Sequence, residues 1–141
     1  MAAIRSKNTV PEVLFRHALH RLGFRFRIHR NDMPGRPDLV LEKYRAVIFV
    51  HGCFWHRHNC GAVRIPTSRT YYWKPKLARN ASRDRKHVSR LLADGWRVAV
   101  IWQCSFSKQP SQQLKMISER VARWLRGNRR LLEVGTPKRF L

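Results

Sequence analysis

The chain has 141 residues, 43% of them hydrophobic, and sets 30 Lys and Arg against 8 Asp and Glu for a formal net charge of +22. That length suits one domain with a real core. No apolar run approaches a membrane span, and the opening MAAIRSKNTV lacks the apolar stretch of a signal peptide, so nothing points to export.

A charge this large repels itself unless a polyanion offsets it. The basic residues are spread through amphipathic segments rather than confined to a tail. Nucleic acid is the expected partner, because Lys and Arg neutralise phosphates and release counterions; an anionic membrane is the alternative. The expected location is the cytoplasm, at the nucleoid. Residues 1–8 read as a short arm and 127–141 as a loose tail on a single domain, with no internal repeat.

TVPEVLFRHALHRLGF predicts the first helix. Thr9 and Glu12 make a capping box, Pro11 sits in the first turn and Gly23 follows the end. Leu14, Ala18 and Leu22, with Phe15 and Leu19, give its apolar stripe. FRFRI (24–28) alternates and predicts a strand. PGRP (34–37) then breaks the chain, and DLVL and RAVIFVHG predict two strands joined by a turn at Glu42–Arg45. A Cys/His-rich loop and the polar stretch TSRTYYWKPK (67–76) follow. The next helix is expected from about Asn80, as N-cap, to Asp94, with Gly95 as the stop. RVAVIW (97–102) predicts a buried strand. SQQLKMISERVARWLRGN predicts an amphipathic helix on Leu114, Ile117, Val121, Trp124 and Leu125. The order α-β-β-β-α-β-α describes an α/β fold, a small mixed sheet flanked by helices.

Among the eight acids, Asp38 stands out, because Pro37 fixes the chain direction just before it at the start of a strand. If the two strands pair about a turn near residue 44, Asp38 lies opposite Val50, roughly 5 Å away, and beside His51. Asp38 is then either a Mg²⁺ carboxylate or a turn-ending acid. Glu42, four residues along the strand, is about 13 Å away and cannot share that metal. Asp94, at a helix end, and Glu119, among basic residues, read as surface acids.

The stretch HGCFWHRHNC (51–60) offers five metal-ligand side chains in ten positions. A structural Zn²⁺ takes four Cys or His ligands in a tetrahedron. Cys53, His58 and Cys60 supply three, and Cys104, just past RVAVIW, can close a Cys₃His site; three buried thiols are the alternative. His51 and His56 remain. They can serve as general base and charge stabiliser in phosphodiester hydrolysis, or simply bind DNA phosphates. Phe54 and Trp55, and the group Tyr71, Tyr72 and Trp73, are either core residues or aromatics that stack on bases.

PGRPDLVL, AVIFVHGCFWHRHNC and RTYYWKPKLARNASRDRKHVSRLLADGWRVAVIWQC, in this order, resemble the very short patch repair (Vsr) DNA mismatch endonucleases, from about Arg5 to Cys104. The resemblance implies a restriction-endonuclease-like fold, a variant of the PD-(D/E)XK nucleases, in which F-x-H, here Phe49-Val50-His51, replaces E-x-K. It implies Asp38 and the backbone carbonyl of Val50 as Mg²⁺ ligands. It further implies His51 and His56 as catalytic histidines, Asp84 as the acid supporting His56, and Glu12 as a helix glutamate close to the site. Full capping and full site duty compete for Glu12. Cys53, His58, Cys60 and Cys104 match the structural zinc ligands, and Phe54, Trp55 and Trp73 match aromatics that enter the duplex beside the mismatch.

The implied activity is Mg²⁺-dependent nicking of one strand 5′ of the T in T:G mismatches, which arise when 5-methylcytosine deaminates. The implied companions are a cytosine methyltransferase and mismatch-repair proteins, around a monomeric enzyme. The chain departs from the pattern at Val50, where the best-known member has threonine, and in its short arm; the last 30 residues carry no resemblance. Two other classes compete. A zinc-stabilised nucleic-acid-binding module would need no carboxylate. An HNH-type nuclease needs a helix straight after the second strand, where GAVRIPTSRT with Pro66 is a poor helix start. A zinc deaminase is excluded, because no Glu accompanies the His and no P-C-x-x-C follows.

Overall fold

The computed structural model describes residues 10–52, 70–106 and 109–135, with the backbone alone over 70–74. In chain order the elements are α1 (Val10–Arg21), β1 (Arg27–Ile28), β2 (Leu39–Leu41), β3 (Ala46–His51), α2 (Thr70–Ala93), β4 (Arg97–Trp102), α3 (Pro110–Arg126) and β5 (Leu131–Val134). Short 3₁₀ turns at Glu42–Tyr44 and Gln103–Phe106 follow β2 and β4. The strands form one mixed sheet in the order β1-β2-β3-β4-β5. The first three run antiparallel, and β3, β4 and β5 run parallel. The α/β reading of the sequence, a mixed sheet flanked by helices, describes this architecture.

AVIFVH and RVAVIW lie in the middle of the sheet, and nearly every residue of both is buried, as strands covered on two faces require. Side chains alternate between the faces. Ala46, Ile48 and Val50 pack with Phe15 and Leu19 of α1 and with Leu114, Ile117, Val121 and Leu125 of α3. Val47 and Phe49 pack on the other face with Val88 and Leu91 of α2, beside Val98, Val100 and Trp102 of β4. No helix among the described residues is long and apolar enough to cross a membrane.

Four expectations change. The FRFRI strand shrinks to Arg27–Ile28, an exposed edge pair. The helix expected from Asn80 begins at Thr70 and contains Pro75, so Asn80 is interior; its Oδ1 accepts a bond from Arg83 at 2.8 Å. The stretch read as a loose tail contributes β5 along β4. The hairpin register is one residue tighter than expected, with Leu39 facing Ile48 and Leu41 facing Ala46. The turn sets this shift: its last residue, Arg45, adopts a left-handed conformation (φ 48°) and returns its N–H to Glu42 O at 3.0 Å. Extended by one pair, this register places Asp38 beside Phe49 rather than Val50. Thr9 and residues 1–8 lie outside the described residues.

Candidate active site

The turn before β2 aims Asp38. Gly35 and Arg36 both take left-handed conformations, with φ of 75° and 50°. A Cβ on Gly35 would stand 2.9 Å from His87 Cβ and 3.1 Å from Phe49 Cε1, so the turn is pressed against α2 and β3 where only glycine fits. Pro37 is buried behind it. Although the backbone register favours Phe49, the Asp38 side chain reaches past it: Oδ2 accepts the Val50 N–H at 2.6 Å. The carboxylate takes the place of a strand partner where β2 has not yet begun.

A second carboxylate meets it from α1. Glu12 is 1% exposed, and its Oε2 accepts a bond from Arg16 Nη1 at 2.8 Å. His29 Nε2 lies 3.6 Å from the same oxygen. Asp38 is hydrogen-bonded to Glu12, and its pKa is pushed up to about 8. Burial is the largest cause, and the charge and hydrogen bond of Glu12 add to it, against the opposing Val50 N–H and Arg16 charge. At neutral pH Asp38 therefore keeps its proton, beside the enclosed carboxyl of Glu12. The side chain of Glu12, read from sequence as half of a capping box, is turned into the interior.

This donor set fits a hard divalent cation, because two facing carboxylates share a space that a proton or a cation must neutralise. Mg²⁺ is bound by one or two carboxylates, completed by waters and substrate phosphate, rather than by a full protein cage. Among the described residues no group of three or more His, Cys, Asp or Glu side chains could hold a metal ion.

His51, next after Val50, is buried, and its ring lies between Phe49 (centroids 5.4 Å apart) and Trp102 (5.2 Å). Trp102 is itself held by Glu133 of β5, its Nε1 donating to Oε2 at 2.8 Å. Asp84 is half-buried on α2, in the same stripe as Leu77, Ala81, Val88 and Leu91, and so on the sheet side of that helix. Glu42 stands apart from this cluster, paired with Arg30 Nη1 at 2.8 Å.

Cys104 is half-buried in the 3₁₀ turn after β4. His51 is the register partner of Trp102, and a Cβ on Gly52 would lie 3.6 Å from Gln103 Oε1. The chain thus leaves β3 for the Cys/His loop beside the turn that carries Cys104. Cys53, Phe54, Trp55, His56, His58 and Cys60 lie outside the described residues, as does the side chain of Trp73.

Sequence reasoning missed three residues at this site. Arg16 was legible as the i,i+4 partner of Glu12. His29 and Trp102 had no local signal, because one depends on a left-handed backbone and the other on strand register. Arg79, Arg83, Arg85, Lys86 and Arg90 are exposed on α2, and Lys115, Arg120, Arg123 and Arg126 on α3, on the other face of the sheet. Both helices therefore show basic outer surfaces suited to phosphates.

The model of the family "DNA mismatch endonuclease Vsr" matches residues 1–62. The chain is 53% identical over 107 residues to the Type II nicking enzyme V.XorIIP of Xanthomonas oryzae pv. oryzae, covering 76% of this chain and 79% of that protein. It is 38% identical over 136 residues to the DNA mismatch endonuclease Vsr of Escherichia coli K12, covering 96% of this chain and 87% of that one. It is 43% identical over 109 residues to the Type II nicking enzyme V.NmeAIP of Neisseria meningitidis, covering 77% and 78%. With that identity spanning nearly the whole chain, and with an enclosed carboxylate pair at the end of its central strand, the protein belongs to the Vsr family and is a DNA endonuclease.

Proposed function

We propose that this endonuclease nicks one strand of duplex DNA 5′ of the T in a T:G mismatch, by Mg²⁺-dependent phosphodiester hydrolysis centred on Asp38. The observation that carries the reading is the Asp38–Glu12 pair, two enclosed carboxyls hydrogen-bonded to each other. The names of its relatives, a mismatch endonuclease and several nicking enzymes, support the reaction class.

Asp38 and the backbone carbonyl of Val50 would hold Mg²⁺, which when bound supplies positive charge to the phosphate in the transition state. Glu12 faces Asp38 and keeps a second carboxylate beside the cation position. His56, oriented by Asp84, takes the proton from the attacking water. His51 stabilises charge on the phosphate, its ring fixed by Phe49 and Trp102. Cys53, His58, Cys60 and Cys104 hold a structural Zn²⁺ that preorganises the loop carrying His56. The position of Cys104 beside the exit of β3 supports that set. Phe54, Trp55 and Trp73 enter the duplex at the T:G wobble, where unstacking costs less than at a matched pair. A cytosine methyltransferase, whose product generates the lesion, and mismatch-repair proteins are the functional companions of this monomeric enzyme.

The test is purified protein with Mg²⁺ and labelled duplexes that differ at one pair, T:G against C:G or T:A. A single nick 5′ of the T in the mismatched duplex alone is the expected result. Equal cutting of all duplexes would leave a nicking enzyme without mismatch specificity. Tight binding with no cutting would point to a zinc-stabilised binding module.

A further inference from the structure

His29 joins the edge strand to the PGRP turn and takes a left-handed backbone conformation, φ 58°, as a residue with a side chain. That conformation is unfavourable for any residue with a Cβ and persists where surrounding contacts over-determine it, a combination concentrated at functional sites. Its side chain is turned inward, and Nε2 is buried with no hydrogen-bond partner. Glu12 Oε2 lies 3.6 Å from it, a little beyond the range of an N–H···O bond. A strained backbone therefore delivers a donor without a hydrogen-bond partner to 3.6 Å from the site carboxylate.

We propose that His29 is a positioning residue for this site, whose Nε2–H closes onto Glu12 Oε2 and orients that carboxylate toward a divalent cation opposite Asp38. The proposal rests on the carboxylate–cation reading above. Arg16 Nη1 and His29 Nε2 both approach Oε2, so the donors gathered on that oxygen set the direction in which the Glu12 carboxyl faces Asp38. A second donor on Oε2 stabilises the carboxylate that faces a cation and fixes its direction. The 3.6 Å separation is the open form of this contact, and cation binding closes it.

The experiment is a calorimetric Mg²⁺ titration of the full chain without DNA, on wild type, His29→Gly and His29→Gln, with thermal unfolding of each. Glycine relieves the backbone and removes the donor; glutamine keeps a donor at similar reach. The proposal expects His29→Gly to unfold at or above the wild-type temperature yet bind Mg²⁺ about 10- to 100-fold more weakly. It expects His29→Gln to bind within a few-fold of wild type. Nicking by His29→Gly should recover as Mg²⁺ is raised to saturation, a loss in metal affinity rather than in turnover. Unchanged Mg²⁺ binding in His29→Gly, or binding by His29→Gln as weak as in His29→Gly, would overturn the proposal. Should the glycine variant fail to fold, His29→Leu against His29→Gln keeps the same contrast of donor absent and donor present. A wild-type protein that takes up no Mg²⁺ would overturn the carboxylate–cation reading itself, and this proposal with it.

Discussion

At the scale of single residues, Asp38 links stability to function. An unfolded Asp titrates near 3.8, while Asp38 in the fold titrates near 8. Between those values the folded chain keeps a proton that the unfolded chain gives up, so the stability of the metal-free protein falls as pH rises from about 4 to about 8. Asp38→Asn removes that slope: at pH 8 and without metal it should raise stability by at least about 1 kcal/mol, roughly 3 °C in Tm for a domain of this length. Thermal scans of both proteins across that pH window check this, and adding Mg²⁺ should return the advantage to wild type. Gly35→Ala should act in the opposite direction. It needs a φ of 75° and places a Cβ 2.9 Å from His87 Cβ, so it should cost about 1–3 kcal/mol in urea unfolding and displace Asp38. Asp38 was legible because Pro37 and the neighbouring strand fixed where it must lie. The direction of Glu12 was not, because a capping pattern and a buried site position share the same residue letters.

At the scale of elements, the apolar stripe of α3 and the continuous runs of β3 and β4 were legible from period alone, whereas in the stripe expected on α1 Phe15 and Leu19 are buried but Leu14 and Leu22 are exposed. The register of the hairpin was legible to within one residue. That residue was lost because the turn is a 3₁₀ turn ended by a left-handed Arg45, which no turn residue such as Gly or Asn announced. The start of α2 was lost because Pro75 and a run of polar residues conceal it. β5 was lost because it is four residues long and sits in a basic stretch. Its topology gave no help either. The steps β3-α2-β4 and β4-α3-β5 move toward the same edge of the sheet with their helices on opposite faces, so the two crossovers have opposite hands and one departs from the usual right hand.

The junction of β4, α3 and β5 is tied by Arg97. Its guanidinium donates to the carbonyls of Leu125 (3.1 Å), Trp124 and Arg129 (2.9 Å), and lies 4.6 Å over the Trp124 ring. It thus satisfies the last carbonyls of α3. Arg97→Met should cost about 1–3 kcal/mol in chemical unfolding while leaving the nicking rate of the folded fraction unchanged. A rate loss larger than the loss of folded protein would show that this junction also shapes the site.

At the scale of the whole molecule, a charge of +22 on 141 residues makes binding to DNA chiefly electrostatic. Affinity for matched duplex should fall about 10³-fold or more between 50 and 200 mM salt, measured by fluorescence anisotropy. A shallow salt dependence would mean that the basic faces of α2 and α3 do not meet the phosphates. Specificity must then come from the site rather than from this charge, since phosphate contacts position a protein without reading sequence. In the proposed mechanism Asp38 is the carboxylate through which a divalent cation drives cleavage. The most direct test is the single-turnover nicking rate of a T:G duplex by wild type and Asp38→Asn, with Mg²⁺ and with EDTA, at protein concentrations where both bind fully. The account predicts cleavage by wild type only with Mg²⁺, and a loss of at least about 10²-fold in Asp38→Asn. Cleavage by Asp38→Asn at the wild-type rate, or by wild type in EDTA, would contradict it.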